Sequence, residues 1–140
     1  MSGKRVNLLK DRAKVFLELA EELRGRGRLD LAMFNVDQAF QLRVKATMLR
    51  LLGVIPRIHG VRGLLGMLAR RLEELSFRGE AREIMSFIRR FREVLIDVES
   101  AHVESRYGLF STTSESVDEA VKVAGELFKL LDRVERDVLG

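Results

Sequence analysis

Between Leu29 and Leu52, apolar side chains recur on two opposite sides of a helix-forming segment. At about 100° per residue, Leu31, Leu42, Leu49 and Leu52 fall on one side, and Met33, Val36, Phe40, Val44 and Leu51 on the other. A surface helix has one apolar stripe, so this pattern predicts a central helix or one sandwiched against a second subunit. Asn35, Gln38 and Lys45 share the line of Leu31 and Leu49. Polar groups at buried positions need partners, which marks this line as a candidate ligand surface.

The helical period runs through the rest of the chain. A first helix is expected from about Asn7 to Arg24, with Leu8, Val15, Phe16, Leu19 and Leu23 on one face and Gly25-Arg26-Gly27 ending it. Gly53 suits a left-handed terminator for the two-sided helix. Val54 to His59 reads as a connection and holds the chain's single proline, Pro56. A third helix places Val61, Leu64, Leu65, Leu68, Leu72 and Leu75 on one stripe and closes near Gly79. A fourth, from about Glu80 to Ser105, carries Ile84, Ile88, Phe91, Leu95, Val98 and His102. After a loop from Tyr107 to Ser114, Ser116 and Glu119 make a capping box for a fifth helix, whose inner face is Val117, Val121, Ala124, Phe128 and Leu131. Strand-like alternation is almost absent. The fold class is therefore all-α: an antiparallel up-and-down helical bundle of four main helices plus a fifth C-terminal helix, one domain over residues 1–140.

Composition narrows the function classes. The chain has 140 residues and no cysteine, which excludes disulfides, thiolate metal sites and cysteine nucleophiles. No run of about 18 apolar residues is present to span a bilayer. Met-Ser-Gly-Lys-Arg leads into an amphipathic helix rather than a secretory core, so a cytoplasmic protein without a membrane partner is expected. The basic excess is uneven: 16 Lys+Arg against 8 Asp+Glu through Arg78, then 9 against 13, for a formal net charge of +4. Arg outnumbers Lys 19 to 6, which favours planar contacts to phosphate or carboxylate. A thermophile-like surface and an anionic partner both account for this, and the two are compatible.

Few residues offer chemistry. Glu99 and His102 have the Glu-x-x-His spacing of di-iron bundles, but such a site needs two of these pairs plus two more carboxylates, and the chain has only two histidines. No metal site and no catalytic residue is assigned, and His102 is read as a core-facing histidine. Arg106 continues the fourth helix's stripe. It either caps carbonyls near the helix end or meets a ligand anion. His59 is either a cap or hinge residue or a contact to a base or phosphate. Gln38 and Lys45 lie two turns apart, roughly 10 Å, which fits the two ends of a mononucleotide or two separate hydrogen bonds. Phosphate-binding glycine loops, a Ser/His/Asp set, a zinc finger and an aromatic RNA platform are all missing from the sequence.

Taken in order, these positions resemble the HEPN family (higher eukaryotes and prokaryotes nucleotide-binding domain). Its second helix reads approximately Phe-His-x-Gln-Gln-Ala-Ala-Glu-x-x-x-Lys-Ala. Here the segment is Phe34-Asn35-Val36-Asp37-Gln38-Ala39-Phe40-Gln41-Leu42-Arg43-Val44-Lys45-Ala46. A His-Asp-Leu-like start to helix three corresponds to His59-Gly60-Val61, and an Ala-Arg-Tyr-Pro close of helix four to Ser105-Arg106-Tyr107-Gly108. Asn35, Asp37 and Gly108 depart from the pattern. Nuclease members carry Arg-x(4–6)-His, whereas Arg106 is followed by Tyr-Gly-Leu-Phe-Ser-Thr-Thr.

The resemblance implies a dimerising helical domain, often encoded beside a minimal nucleotidyltransferase, with Gln38, Lys45, His59, Arg106 and Tyr107 as ligand-binding residues. Three readings follow. The first is a non-catalytic nucleotide-binding module acting with such a nucleotidyltransferase partner in a two-component or toxin–antitoxin-like pair, its only cofactor being a bound nucleotide. The second is a structural or oligomeric adaptor without a ligand. The third is a metal-independent RNase with an altered active site.

Overall fold

Six helices and short connections make up the computed structural model, which describes residues 2–107 and 112–140 except the side chains of residues 2 and 102–107. They are α1 (Ser2–Gly25), α2 (Leu29–Leu52), α3 (Val61–Glu74), α4 (Arg78–Arg90), α5 (Arg92–Tyr107) and α6 (Ser114–Leu139), with no strand among the described residues. The all-α bundle expected from the periodicity is the observed fold. The fourth expected helix is two helices, α4 and α5, which meet at Phe91. Neither Gly nor Pro marks that break, so the apolar period runs across it unchanged.

Helix ends show which local signals were informative. Gly53 takes a left-handed conformation (φ 73°) and its N–H donates to the Leu49 carbonyl at 3.0 Å, closing α2 as expected. Between α3 and α4 the left-handed position is Ser76 (φ 72°) rather than Gly79, which lies inside α4. The Phe77 N–H reaches back to the Leu72 carbonyl at 2.8 Å, the six-to-one bond of a Schellman closure. At the start of α6 the cap is Thr113: its Oγ1 accepts from the Ser116 N–H at 3.1 Å, and Ser116 Oγ donates to the Thr113 carbonyl at 2.9 Å. Ser116 is thus the third helical residue bonded by the cap and not the cap itself.

The two-sided character of α2 is explained within one chain. On one side its Met33, Val36, Phe40, Val44 and Met48 join Leu64, Leu65 and Leu68 of α3, Ile84 of α4, Leu95 of α5 and Leu127 and Leu131 of α6 in a single core. The other side is covered by α1. That contact is made of small residues: Val6, Ala13 and Ala20 on α1 and Ala32, Ala39 and Ala46 on α2, each series spaced by seven and every member at most 2% exposed. Val6 packs with Ala46, and Ala20 shares a cluster with Ala32, so the antiparallel register sets Ala13 opposite Ala39. Side chains this small let two helix axes approach toward the short end of the usual 8–10 Å, at about 8 Å.

The expected inner face of α1 is corrected in part. Leu23 packs against the main core and Phe16 is half-buried, but Leu8, Val15 and Leu19 are exposed, at 46%, 45% and 40%, on the side opposite the alanine series. Leu31 of α2 is likewise exposed. Leucine size suggested an inward direction, but alanine and valine hold the fully buried positions of α1, with Leu9 and Leu49 packing beside Val6 and Ala46 at one end.

A buried ionic network joins α1, α2 and α6. Arg43 and Glu135 are each 3% exposed. Arg43 Nη1 donates to Glu135 Oε2 at 2.9 Å and to Thr47 Oγ1 at 2.7 Å, and Nη2 donates to Asp132 Oδ1 at 2.6 Å. Thr47 Oγ1 donates to Glu135 Oε2 at 2.6 Å, while Lys10 Nζ and Arg50 Nη1 reach Oε1 at 2.6 and 3.2 Å. Burial alone would raise the Glu135 pKa, but the hydrogen bonds from Lys10, Thr47 and Arg43 outweigh it and hold the carboxyl below its ordinary range.

Candidate functional site

The α2 face turned toward α3 and α5 carries polar residues at positions 37, 41 and 45, one per helical turn. Asp37 and Gln41 are buried and Lys45 is half-buried. Gln41 Nε2 donates to Asp37 Oδ2 at 2.8 Å, and Asp37 Oδ1 has no donor among the described residues. From α5, Glu99 brings a second carboxylate into electrostatic reach of Asp37. Glu99 Oε2 accepts from Arg62 Nε of α3 at 2.5 Å.

Gly60 is the residue before α3, and its lack of a side chain permits this arrangement. A Cβ there would stand 2.9 Å from Glu99 Oε1. The helix has no side-chain cap of its own. A carboxylate at this place interacts favourably with the positive end of the α3 dipole.

Electrostatics within the cluster are strongly perturbed. Burial pushes the Asp37 carboxyl up to about 7, against the hydrogen bond from Gln41, and the charge of Glu99 adds to the rise while that of Lys45 opposes it. Burial lowers the Lys45 ammonium, and the nearby Asp37 works against that fall. Near neutral pH the line thus holds a carboxyl poised between its two forms beside a half-buried lysine. Such a pair can exchange hydrogen bonds with a ligand's amide, hydroxyl or phosphate groups.

Of the residues expected from sequence, Lys45 belongs to this cluster. Gln38 is half-buried on α2 and makes no hydrogen bond among the described residues. His59 is exposed, beside the Gly60 that touches Glu99. The side chains of Arg106 and Tyr107 lie outside the described residues, as does that of His102. Asn35 is accounted for locally, its Nδ2 donating to the Leu31 carbonyl at 2.7 Å.

Sequence reasoning passed over Asp37 as a departure from a family pattern and did not single out Gln41. The signal was available in the turn-by-turn spacing of 37, 41 and 45. Glu99 stands at metal-ligand spacing from His102 in the sequence, whereas its described partner is Arg62. Among the described residues no three acidic or imidazole groups gather in a way that could hold a metal ion. No helix of the described residues is long and apolar enough to cross a membrane.

No curated protein matches the chain significantly. The family model described as HEPN domain matches residues 6–134. That span runs from the first residue of the alanine series on α1 to the end of the α6 core face, and it contains Asp37, Gln41, Lys45, Gly60, Arg62 and Glu99. On this match over nearly its whole length, the chain belongs to the HEPN domain family.

Proposed function

We propose that this protein is a non-catalytic nucleotide-binding module that acts with a partner protein, a minimal nucleotidyltransferase being the partner that its family resemblance implies. HEPN membership by itself suggests nucleotide-binding or RNase-like function. The observation that carries the narrower reading is Asp37: a carboxyl 1% exposed, with one oxygen bonded by Gln41 and the other lacking a donor among the described residues. Buried polar atoms without partners are uncommon, and they cluster where a ligand completes the set. Lys45 on the next turns supplies a cation for phosphate, and Gln38 an amide for a base edge. Arg106 joins them on the strength of the Ser105-Arg106-Tyr107 motif.

One feature argues against catalysis at this site: the Arg-x(4–6)-His spacing of nuclease members is missing from the sequence. We also infer a homodimer. The exposed α1 stripe of Leu8, Val15 and Leu19 is flanked by Lys4, Arg5 and Arg12 along its first half, with Asp11 the acid among them, and by Glu18 and Glu22 along its second. A second copy laid antiparallel on that face sets opposite charges side by side.

Thermal unfolding with and without ATP, GTP, CTP and UTP tests the nucleotide reading. One nucleotide should raise Tm by several degrees, and Lys45→Ala and Arg106→Ala should each abolish the rise. No rise with any nucleotide would favour the adaptor reading. Cleavage of single-stranded RNA in EDTA, lost in Arg106→Ala, would overturn the non-catalytic one.

A further inference from the structure

We propose that the outer face of α4 binds the phosphodiester backbone of a nucleic-acid strand through Arg78, Arg82 and Arg89. These three line one open groove with Glu73, Ala81 and Met85. Positions 78, 82, 85 and 89 are spaced by four, three and four residues, so they form one stripe along the helix, away from the buried Ile84 and Phe87. The arginines are exposed, and Met85 between them is 39% exposed.

Three guanidinium groups without partners share this groove, while several others in the chain are paired: Arg24 with Asp118, Arg43 with Asp132 and Glu135, Arg62 with Glu99, Arg71 with Glu74 and Arg133 with Glu83. Arg78, Arg82 and Arg89 make no ion pair or hydrogen bond among the described residues. Glu73 stands in the same groove without pairing to any of them, and Glu80 and Glu83 of α4 project to other sides of the helix. Like charges four residues apart destabilise a helix, so Arg78 and Arg82 stand together at a cost to the fold. An anion laid along the groove removes that cost.

The shape of the row selects a strand over a single nucleotide. Arg78 and Arg89 are eleven residues apart, roughly 16 Å along the axis. That length corresponds to about five phosphate steps of a stacked strand at 3.4 Å each. Guanidinium forks match phosphate oxygens in pairs, and with no aromatic ring in the groove the contact reads backbone rather than base. This surface is independent of the Asp37–Lys45 site, and either can fail alone.

Fluorescence anisotropy of a labelled 15-nucleotide oligouridylate tests the proposal, with duplex DNA of equal length and phosphatidylserine vesicles as parallel probes. Three phosphate contacts on a single strand give a slope of log K against log salt of about −2, or roughly a 20-fold loss of affinity between 50 and 200 mM salt. The variant Arg78→Gln/Arg82→Gln/Arg89→Gln should bind RNA at least tenfold more weakly at low salt and lose about 2 from the slope. Its Tm should be unchanged or higher. A control with the same loss of charge, Lys14→Gln/Lys122→Gln/Lys129→Gln on α1 and α6, should keep affinity and slope.

Equal weakening by the two triple variants would reduce the effect to net charge and overturn the proposal. So would binding to vesicles alone, or no binding of the wild-type protein to either nucleic acid at 50 mM salt. A preference for duplex over single strand keeps the surface and names its form of ligand. A mononucleotide-induced Tm rise that survives in the α4 variant separates this surface from the α2 site.

Discussion

Replacing Asp37 with asparagine converts the most perturbed carboxyl in the protein into a permanent mimic of its protonated form. The ordinary value for this group is 3.8, and burial raises it in the folded chain to about 7. A raised acid contributes stability that is complete below 3.8 and is lost as pH climbs through 7, because between those values the folded state binds a proton that the unfolded state has released. The slope is about 1.4 kcal/mol per pH unit, so the total loss is about 4 kcal/mol once pH has passed 7. The substituted amide has no proton to lose in this range and keeps an oxygen to accept from Gln41. Urea unfolding midpoints at pH 5, 6, 7 and 8 should therefore fall steadily in the wild-type protein up to pH 7 and then level. In Asp37→Asn they should stay nearly flat, leaving the variant more stable at pH 8. Measurements above pH 5 avoid Glu135, whose lowered pKa acts with the opposite sign: its contribution is present above its ordinary value and disappears as pH falls through the folded one. Parallel curves for the two proteins would refute the assignment, because they would mean that Asp37 is already ionised, and paired, throughout this range.

Glu135→Ala should lower stability by about 3–5 kcal/mol, since it leaves the enclosed Arg43 with Asp132 as its only carboxylate. The double variant Arg43→Met/Glu135→Leu should lose less than Glu135→Ala, which calorimetry on both will show. Ala39→Leu at the α1–α2 contact should cost at least about 1–3 kcal/mol by overpacking, read as a lower urea midpoint with the helical circular dichroism retained. Ser76→Gly should stabilise the chain by about 1 kcal/mol, because Ser76 holds φ at 72° where a side chain is penalised; no gain in Tm would mean that its side chain compensates locally.

The long-range pattern of apolar residues was legible in the sequence because burial sorts side chains by helical period. The all-α class, the end of α2 at Gly53 and the central place of α2 all follow from it. The break at Phe91 was not legible. Its neighbours keep the same period, and no residue type there forbids a helix. Leu8, Val15 and Leu19 misled for a different reason. Hydrophobicity reports that a side chain gains by leaving water, but here the fully buried positions of α1 are held by Val6, Ala13 and Ala20, and small residues give a weak signal. At the candidate site, Lys45 was legible as a polar residue on an apolar helix. The nearness of Glu99 to Asp37 needed the third dimension, since residues so distant in the chain come within electrostatic reach only after α5 has packed on α2.

The alanine series on α1 and α2 has a consequence for how the chain finds its alignment. A repeat of seven is degenerate: sliding α1 by one heptad would set Ala13 opposite Ala32 and Val6 opposite Ala39, with small residues still meeting small residues. The contact surface therefore does not encode its own registration. That information resides in the turn at Arg26, Gly27 and Arg28, closed by the bond from the Arg28 N–H to the Leu23 carbonyl, and in Lys10 and Arg24, which reach Glu135 and Asp118 of α6 in one alignment only. A chain with this turn lengthened and both Lys10 and Arg24 replaced would have two hairpins of similar packing to choose between. The bundle's uniqueness thus depends on three turn residues and two ion pairs outside the interface that they align.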